Sequence, residues 1–292
     1  MACSRIASLA LAAGLFAAGA GFAQTAVWPP IADPPTTLRS PGRFVWADLV
    51  TNDVGTAATF YGKVFGWTFA TYGPSDDDLK SYTQVIANGQ PIGGMVFGGD
   101  VVKSTSGGRW VGLVSSANVG ATADSVTRAG GAVLVKPRQL GQRGEVGLFR
   151  DNTGAVFGAI HSASGDPDAY LGDVGEWLWI ELWTAEPQRA IDFYRGVFGY
   201  DSRTRDEGRS YAFTKDGVAR AGVLRKPEKL PGGSAWIPYV RVANVDDTVK
   251  RVRDAGGRVV VEPRRYRGTR AALFVDPVGA PFAVAEWKRQ GG

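Results

Sequence analysis

The chain has 292 residues, 44% of them hydrophobic and 21% charged, with 40 glycines, 16 prolines and a formal net charge of +5. This is globular composition, which excludes collagen-like, disordered and multi-span membrane classes, and the length suits two domains. With one Cys, one His and two Met, zinc fingers, disulfide frameworks and multi-histidine sites are excluded, so any metal site would be built almost wholly from carboxylates.

Residues 1–23 read as a secretory signal peptide. Arg5 is its only charge, Ile6 to Phe22 form an apolar alanine-rich run, and Gly21-Phe22-Ala23 offers a small-x-small cleavage site. The run is short and glycine-punctuated for a membrane anchor. The expectation is a periplasmic or secreted protein with no stable membrane anchor after cleavage and, since Cys3 leaves with the signal, no cysteine. Export and a modest positive charge speak against a nucleic-acid partner. Residues 24–42, with Pro29, Pro30, Pro34, Pro35 and Pro41, form an extended leader.

From Phe44 the chain repeats itself. The segment 44–67 matches 177–200 with nine identities: Trp46, Leu49, Thr51, Ala57, Phe60, Tyr61, Val64, Phe65 and Gly66. Residues 117–138 match 243–264, and 149–162 match 274–287. Such internal similarity marks a tandem duplication, with domains at 43–163 and 176–288 and a Gly, Asp and Pro-rich linker at 164–175.

Within each copy the pattern is strand, helix, then three strands, twice over. The first copy runs this way from Phe44, with Asn88-Gly89 as a hairpin turn. In the second, Trp177 to Trp183 alternates strictly, with Trp177, Trp179, Glu181 and Trp183 on one face and Leu178, Ile180 and Leu182 on the other. Pro187 suits the first turn of the next helix, and Gly199 ends it. Strands follow near 201–206, 210–215 and 218–225, with Asp216-Gly217 as the matching turn. The last unit has a strand at 236–242, a helix at 245–255 and strands near 258–263, 270–275 and 281–287. The fold class is therefore α+β, with four βαβββ units.

This arrangement resembles the vicinal oxygen chelate superfamily of glyoxalase I, extradiol dioxygenases, and fosfomycin and bleomycin resistance proteins. The resemblance rests on an acidic residue followed by a Phe-Tyr helix ending in Phe-Gly-aromatic (Asp53, Phe60, Tyr61, Phe65, Gly66, Trp67; Glu186, Phe193, Tyr194, Phe198, Gly199, Tyr200). It rests also on the turns Asp151-Asn152-Thr153-Gly154 and Asp276-Pro277-Val278-Gly279. It implies two glyoxalase-like domains, each a curled, partly open barrel with helices outside and a divalent metal in its concavity. The ligand positions it implies fall on Trp46, Gly93 to Met95, Val111 and Gly158, then Trp179, Ala219 to Gly222, Ile237 and Ala283. None is a usable side-chain ligand, so no cofactor is expected and a divalent metal is disfavoured.

Asp48 and Glu181 lie two residues beyond the first of these positions, on the same face, and are the available carboxylates. His161 falls on the opposite face of the last strand of its copy and reads as structural. The favoured site is a pocket in the second domain lined by Trp179, Trp183 and Tyr239, with Glu181 and Arg241 orienting a small aromatic or cationic ligand. Trp46 and Asp48 make a paler version in the first domain. The competing reading of Glu181 and Arg241 is an internal salt bridge beneath a filled barrel. As an enzyme, the protein would be a metal-independent lyase or isomerase with Glu181 as general base and Arg241 stabilising an oxyanion, or a divergent glyoxalase- or dioxygenase-like enzyme. The arginines 264, 265, 267 and 270 form either a solvated strand and turn or an anion-facing rim. The partner is a small molecule, and the assembly a monomer or homodimer.

Overall fold

The computed structural model describes residues 28–73, 81–99, 107–169, 172–266 and 268–288. The expected signal peptide lies outside the described residues. The first half of the chain contains β1 (Phe44–Thr51), α1 (Val54–Phe65), β2 (Thr68–Tyr72), β3 (Tyr82–Ala87), β4 (Gln90–Phe97), β5 (Arg109–Ser115), α2 (Val119–Arg128), β6 (Ala132–Gln139), β7 (Gly144–Arg150) and β8 (Val156–Ser162). The second repeats it as β9 (Trp177–Thr184), α3 (Pro187–Phe198), β10 (Asp201–Arg205), β11 (Ser210–Lys215), β12 (Val218–Arg225), β13 (Ala235–Arg241), α4 (Val245–Asp254), β14 (Arg258–Tyr266), β15 (Thr269–Val275) and β16 (Pro281–Glu286).

Local chemistry fixes the helix ends. Asp53 caps α1 by accepting from the Thr56 amide at 2.8 Å, and Asn118 and Asn244 do the same for α2 and α4. Pro187 starts α3 at a position where its missing N–H is not needed. Gly66 and Gly199 close α1 and α3 in the left-handed region, at φ 74° and 67°.

Each half folds into one eight-stranded mixed sheet, in the orders β2-β3-β4-β1-β5-β8-β7-β6 and β10-β11-β12-β9-β13-β16-β15-β14. The two units of a half pair through their first strands, β1 antiparallel to β5 and β9 antiparallel to β13. The outermost strands do not meet, so each sheet curls without closing. The architecture is the α+β arrangement of four βαβββ units expected from the repeat.

Strand β9 departs from the strict alternation expected of it. The register of β9 against β13 shifts between Tyr239 and Val240, so that Trp177 stands opposite Val240. Trp177 therefore leaves the face shared by Glu181 and Trp183. It sits in the seam between the halves, donating Nε1 to the Ile92 carbonyl at 2.8 Å and packing edge-to-face on Trp67 and Trp110. Leu178 moves the other way and packs with Trp183 and Tyr239.

The halves share their cores. Helix α1 packs beside α4, and α2 beside α3. Phe60 and Tyr61 of α1 lie 5.9 and 5.5 Å from Phe282 of β16, while Tyr194 of α3 lies 5.4 Å from Phe157 of β8. The motif tyrosines also bridge the halves. Tyr61 donates to Asp276 at 2.9 Å and accepts from Trp110 Nε1, and Tyr194 donates to Asp151 at 2.9 Å and accepts from Trp236 Nε1. The Phe-Tyr helix and the Asp-x-x-Gly turn are thus a reciprocal clasp.

This clasp has a pH signature. Burial pushes the Asp276 carboxyl up to about 6, against the hydrogen bonds that hold it. The folded state then binds more protons than the unfolded one between the two pKa values. The stabilising contribution is complete below about pH 4 and falls by on the order of 3 kcal/mol as pH rises through 6. Chemical denaturation from pH 4 to 7 is expected to show this decline, and Asp276→Asn to flatten it.

Candidate functional site

Each sheet presents one carboxylate at the middle of its concave face, and in both halves it accepts from a tryptophan and a tyrosine. In the first half, Asp48 Oδ1 accepts from Trp46 Nε1 at 2.9 Å and Tyr82 OH at 2.7 Å, while Oδ2 pairs with Arg143 at 3.3 Å. Arg143 comes from the short turn before β7 and is fully buried. Its guanidinium lies 5.5, 5.1 and 4.6 Å from the rings of Trp28, Trp46 and Tyr82, and its Nε donates to the Pro29 carbonyl at 2.9 Å. Burial works against the Arg143 charge, but the pairing with Asp48 and the hydrogen bonds outweigh it. Burial also pushes the Tyr82 phenol far above its usual range, so it stays a neutral donor.

The leader completes this arrangement. Ile31 packs with Trp46, Val111, Leu113, Val146 and Ile160, and Trp28 sits 5.0 Å from Tyr82. Ala32, Thr36 and Ser40 are tied by hydrogen bonds to Ser164 and Asp166. The concavity of the first half is thereby filled by the chain's own N-terminal segment. The internal salt bridge beneath a filled barrel exists, but between Asp48 and Arg143.

In the second half, Glu181 Oε2 accepts from Trp183 Nε1 at 3.0 Å and Tyr239 OH at 2.8 Å. Glu181 is 3% exposed. The Glu181–Arg241 partnership is not formed. Arg241 instead donates to the Trp287 and Gly172 carbonyls and lies 3.9 Å from Asp173. Arg241 lies four residues along β13 from Ile237, the residue opposite Glu181, and its guanidinium is spent on these carbonyls, so the oxyanion role expected for it has no geometric basis. Trp179 is half-buried beside the same cluster as Trp183 and Tyr239.

Glycines on the fourth strand of each half make room for these networks. A Cβ at Gly222 would come within 2.8 Å of Glu181 Oε1 and 2.9 Å of Trp179 Nε1, and one at Gly94 would overlap the Tyr82 hydroxyl. Gly222 and Ile237 stand in register with Glu181, as Gly94 and Val111 do with Asp48. Among the described residues no group of three His, Cys, Asp or Glu side chains converges. Among the described residues a divalent ion does not fit this donor set, because each central carboxylate already accepts from a Trp and a Tyr and the residues in register with it, Gly94 and Val111 or Gly222 and Ile237, carry no side-chain ligand atoms. His161 bonds the Ser116 carbonyl through Nδ1 at 3.0 Å, at the end of β8.

Three spaces meet at the Trp183 side of the second half. A narrow cavity of about 20 Å³ lies among Trp183, Leu224, Tyr239, Leu273 and Ala283. A larger one of about 270 Å³ runs along the seam, with Trp183, Ile237, Leu273, Lys226 and Arg258 on one side and Arg109 and Trp110 on the other. Neither is lined by a carboxylate. A surface groove of about 620 Å³ opens beyond Leu224 and Arg264. Arg143, Tyr82 and Trp28 in the first half, and Lys226 and Leu230 in the second, were not singled out by sequence. The only signal for the first group was an arginine between glycines in the turn 141–144.

A duplicated βαβββ sheet with a central carboxylate in each concavity defines a tandem member of the vicinal oxygen chelate fold. Residues 177–284 match the family model of the glyoxalase/bleomycin resistance protein/dioxygenase superfamily, and a bleomycin resistance protein-like N-terminal model matches 43–75, so the chain carries domains of that superfamily. It is 29% identical over 243 residues to CFP32 of Mycobacterium tuberculosis, a protein named among the glyoxylases, covering 82% of this chain and 92% of that one. It is 28% identical to the anthracycline biosynthesis protein DnrV of Streptomyces peucetius, covering 86% and 95%. The Mn(II)-bound glyoxalase from Novosphingobium aromaticivorans shares the fold, with a TM-score of 0.57 and 17% identity over 85% of this chain and 83% of that one.

Proposed function

We propose that this protein is exported and binds a small aromatic molecule, without a metal ion, against Trp183 at the second domain. The observation that carries the reading is that Trp183 lines both the inner cavity and the seam cavity of about 270 Å³, close to the size of small-ligand sites. The concave face of the first domain around Asp48 offers no counterpart, since Trp28 to Ala32 fill it, and a seam cavity of about 300 Å³ beside Trp46 and Trp179 is bordered by the carboxylates of Asp168 and Glu176. The lining supports an aromatic ligand over a cationic one, because Arg109, Lys226 and Arg258 border the space and no carboxylate does. Kinship with an anthracycline biosynthesis protein is in keeping with an aromatic ligand. Binding is favoured over catalysis because Glu181 Oε2 already accepts two hydrogen bonds and Arg241 is turned away.

The test is a titration with 2-naphthol, followed by tryptophan fluorescence. Saturable quenching is expected, unchanged after dialysis against EDTA, and Glu181→Gln should keep the affinity within about threefold because a neutral ring does not need the carboxylate charge. Absence of binding, or a requirement for a divalent ion, would contradict the proposal.

A further inference from the structure

Resting on that reading, the groove beyond Trp183 specifies the ligand further. Arg209, Arg225, Lys226, Arg264 and Arg265 all line it. None of the five is ion-paired among the described residues, whereas Arg189, Arg195, Arg253 and Arg270 all are. Arg209, Arg225 and Lys226 spend hydrogen bonds on backbone carbonyls of Asp206, Ala185, Leu230 and Gly232, which orient the groups without neutralising them. Of the two acids at the groove, Asp206 accepts from Ser210 Oγ. Glu228 is exposed.

The groove is continuous with the aromatic site. Arg264 and Leu224 line both it and the cavity of Trp183 and Tyr239, and Lys226 lines both it and the seam cavity. The duplication supplies an internal control. In register with the repeat, the positions of Arg209, Arg225, Lys226, Arg264 and Arg265 are held in the first half by Ser81, Phe97, Gly98, Arg138 and Gln139. Only one of the five charges recurs, so the charge accompanies the half whose concavity the leader does not fill.

We infer that the ligand is an aromatic acid, with its ring at Trp183 and a carboxylate, sulfonate or phosphate-type group in the arginine groove. Guanidinium groups favour such oxyanions through charge-assisted hydrogen bonds. The experiment compares naphthalene-2-sulfonate with 2-naphthol by calorimetry on the full chain. The sulfonate is expected to bind about tenfold more tightly at low ionic strength, with the preference shrinking as salt screens the groove. Replacing two exposed residues together, Arg209→Ser and Arg265→Ser, should bring the ratio of the two affinities toward one. Equal binding of both probes would overturn the anion groove while leaving the aromatic site standing. If neither probe binds, the aromatic site itself is wrong and the inference falls with it.

Discussion

Asp48→Ala is expected to lower stability by about 3–5 kcal/mol, because it strands the buried Arg143 charge. Arg143 is completely buried, and Asp48 is its only ionic partner among the described residues. The substitution also takes the acceptor from Trp46 Nε1 and Tyr82 OH. The three aromatic rings and the Pro29 carbonyl remain, but they hold the cation less well than a carboxylate. Pairing Asp48→Leu with Arg143→Met should recover most of the loss, since a buried ion pair exchanged for apolar groups of similar volume is often neutral or better. Urea unfolding of the single and double variants measures this coupling. A cost below about 1 kcal/mol for Asp48→Ala would mean that Arg143 finds water.

Phe282→Ala is expected to cost about 3–5 kcal/mol, the usual range for emptying a buried phenylalanine site. The more discriminating part is where the damage spreads. Phe282 of β16 touches Phe60, Tyr61 and Phe65 of α1, 5.5 to 5.9 Å away, and Phe274 at 5.3 Å. A residue near the C-terminus therefore supports the first helix. Hydrogen exchange should accelerate in α1 as well as in β16, and thermal unfolding should remain one transition. Loss confined to the second half, with α1 still protected, would show that the halves are independent.

The fold was legible where chemistry is local. Asn88 and Gly89 at φ 50° and 77°, and Asp216 and Gly217 at 54° and 76°, adopt the left-handed pair that such dipeptides signal in a hairpin. The repeat located every strand, because two copies of a weak pattern confirm each other. The neighbours of Glu181 were legible too: Trp183 is two residues along the same strand, and Tyr239 follows from pairing of the first strands.

What escaped depends on register or distance. No residue type announces the extra residue in β9, Leu178, that removes Trp177 from the Glu181 face. Nor does local pattern connect Arg143 with Asp48 and Pro29, which lie 95 and 114 residues away. Two halves of similar sequence therefore diverged in a way only the assembled chain reveals. One is filled by the leader and the other opens at Trp183.

That asymmetry is the central claim, and the stoichiometry of 2-naphthol binding tests it most directly. Isothermal titration of the wild-type chain should give one site per chain, lost in Trp183→Leu because the ring that the ligand packs against is gone. Two equivalent sites per chain, or one that survives Trp183→Leu, would contradict the assignment of binding to the second domain.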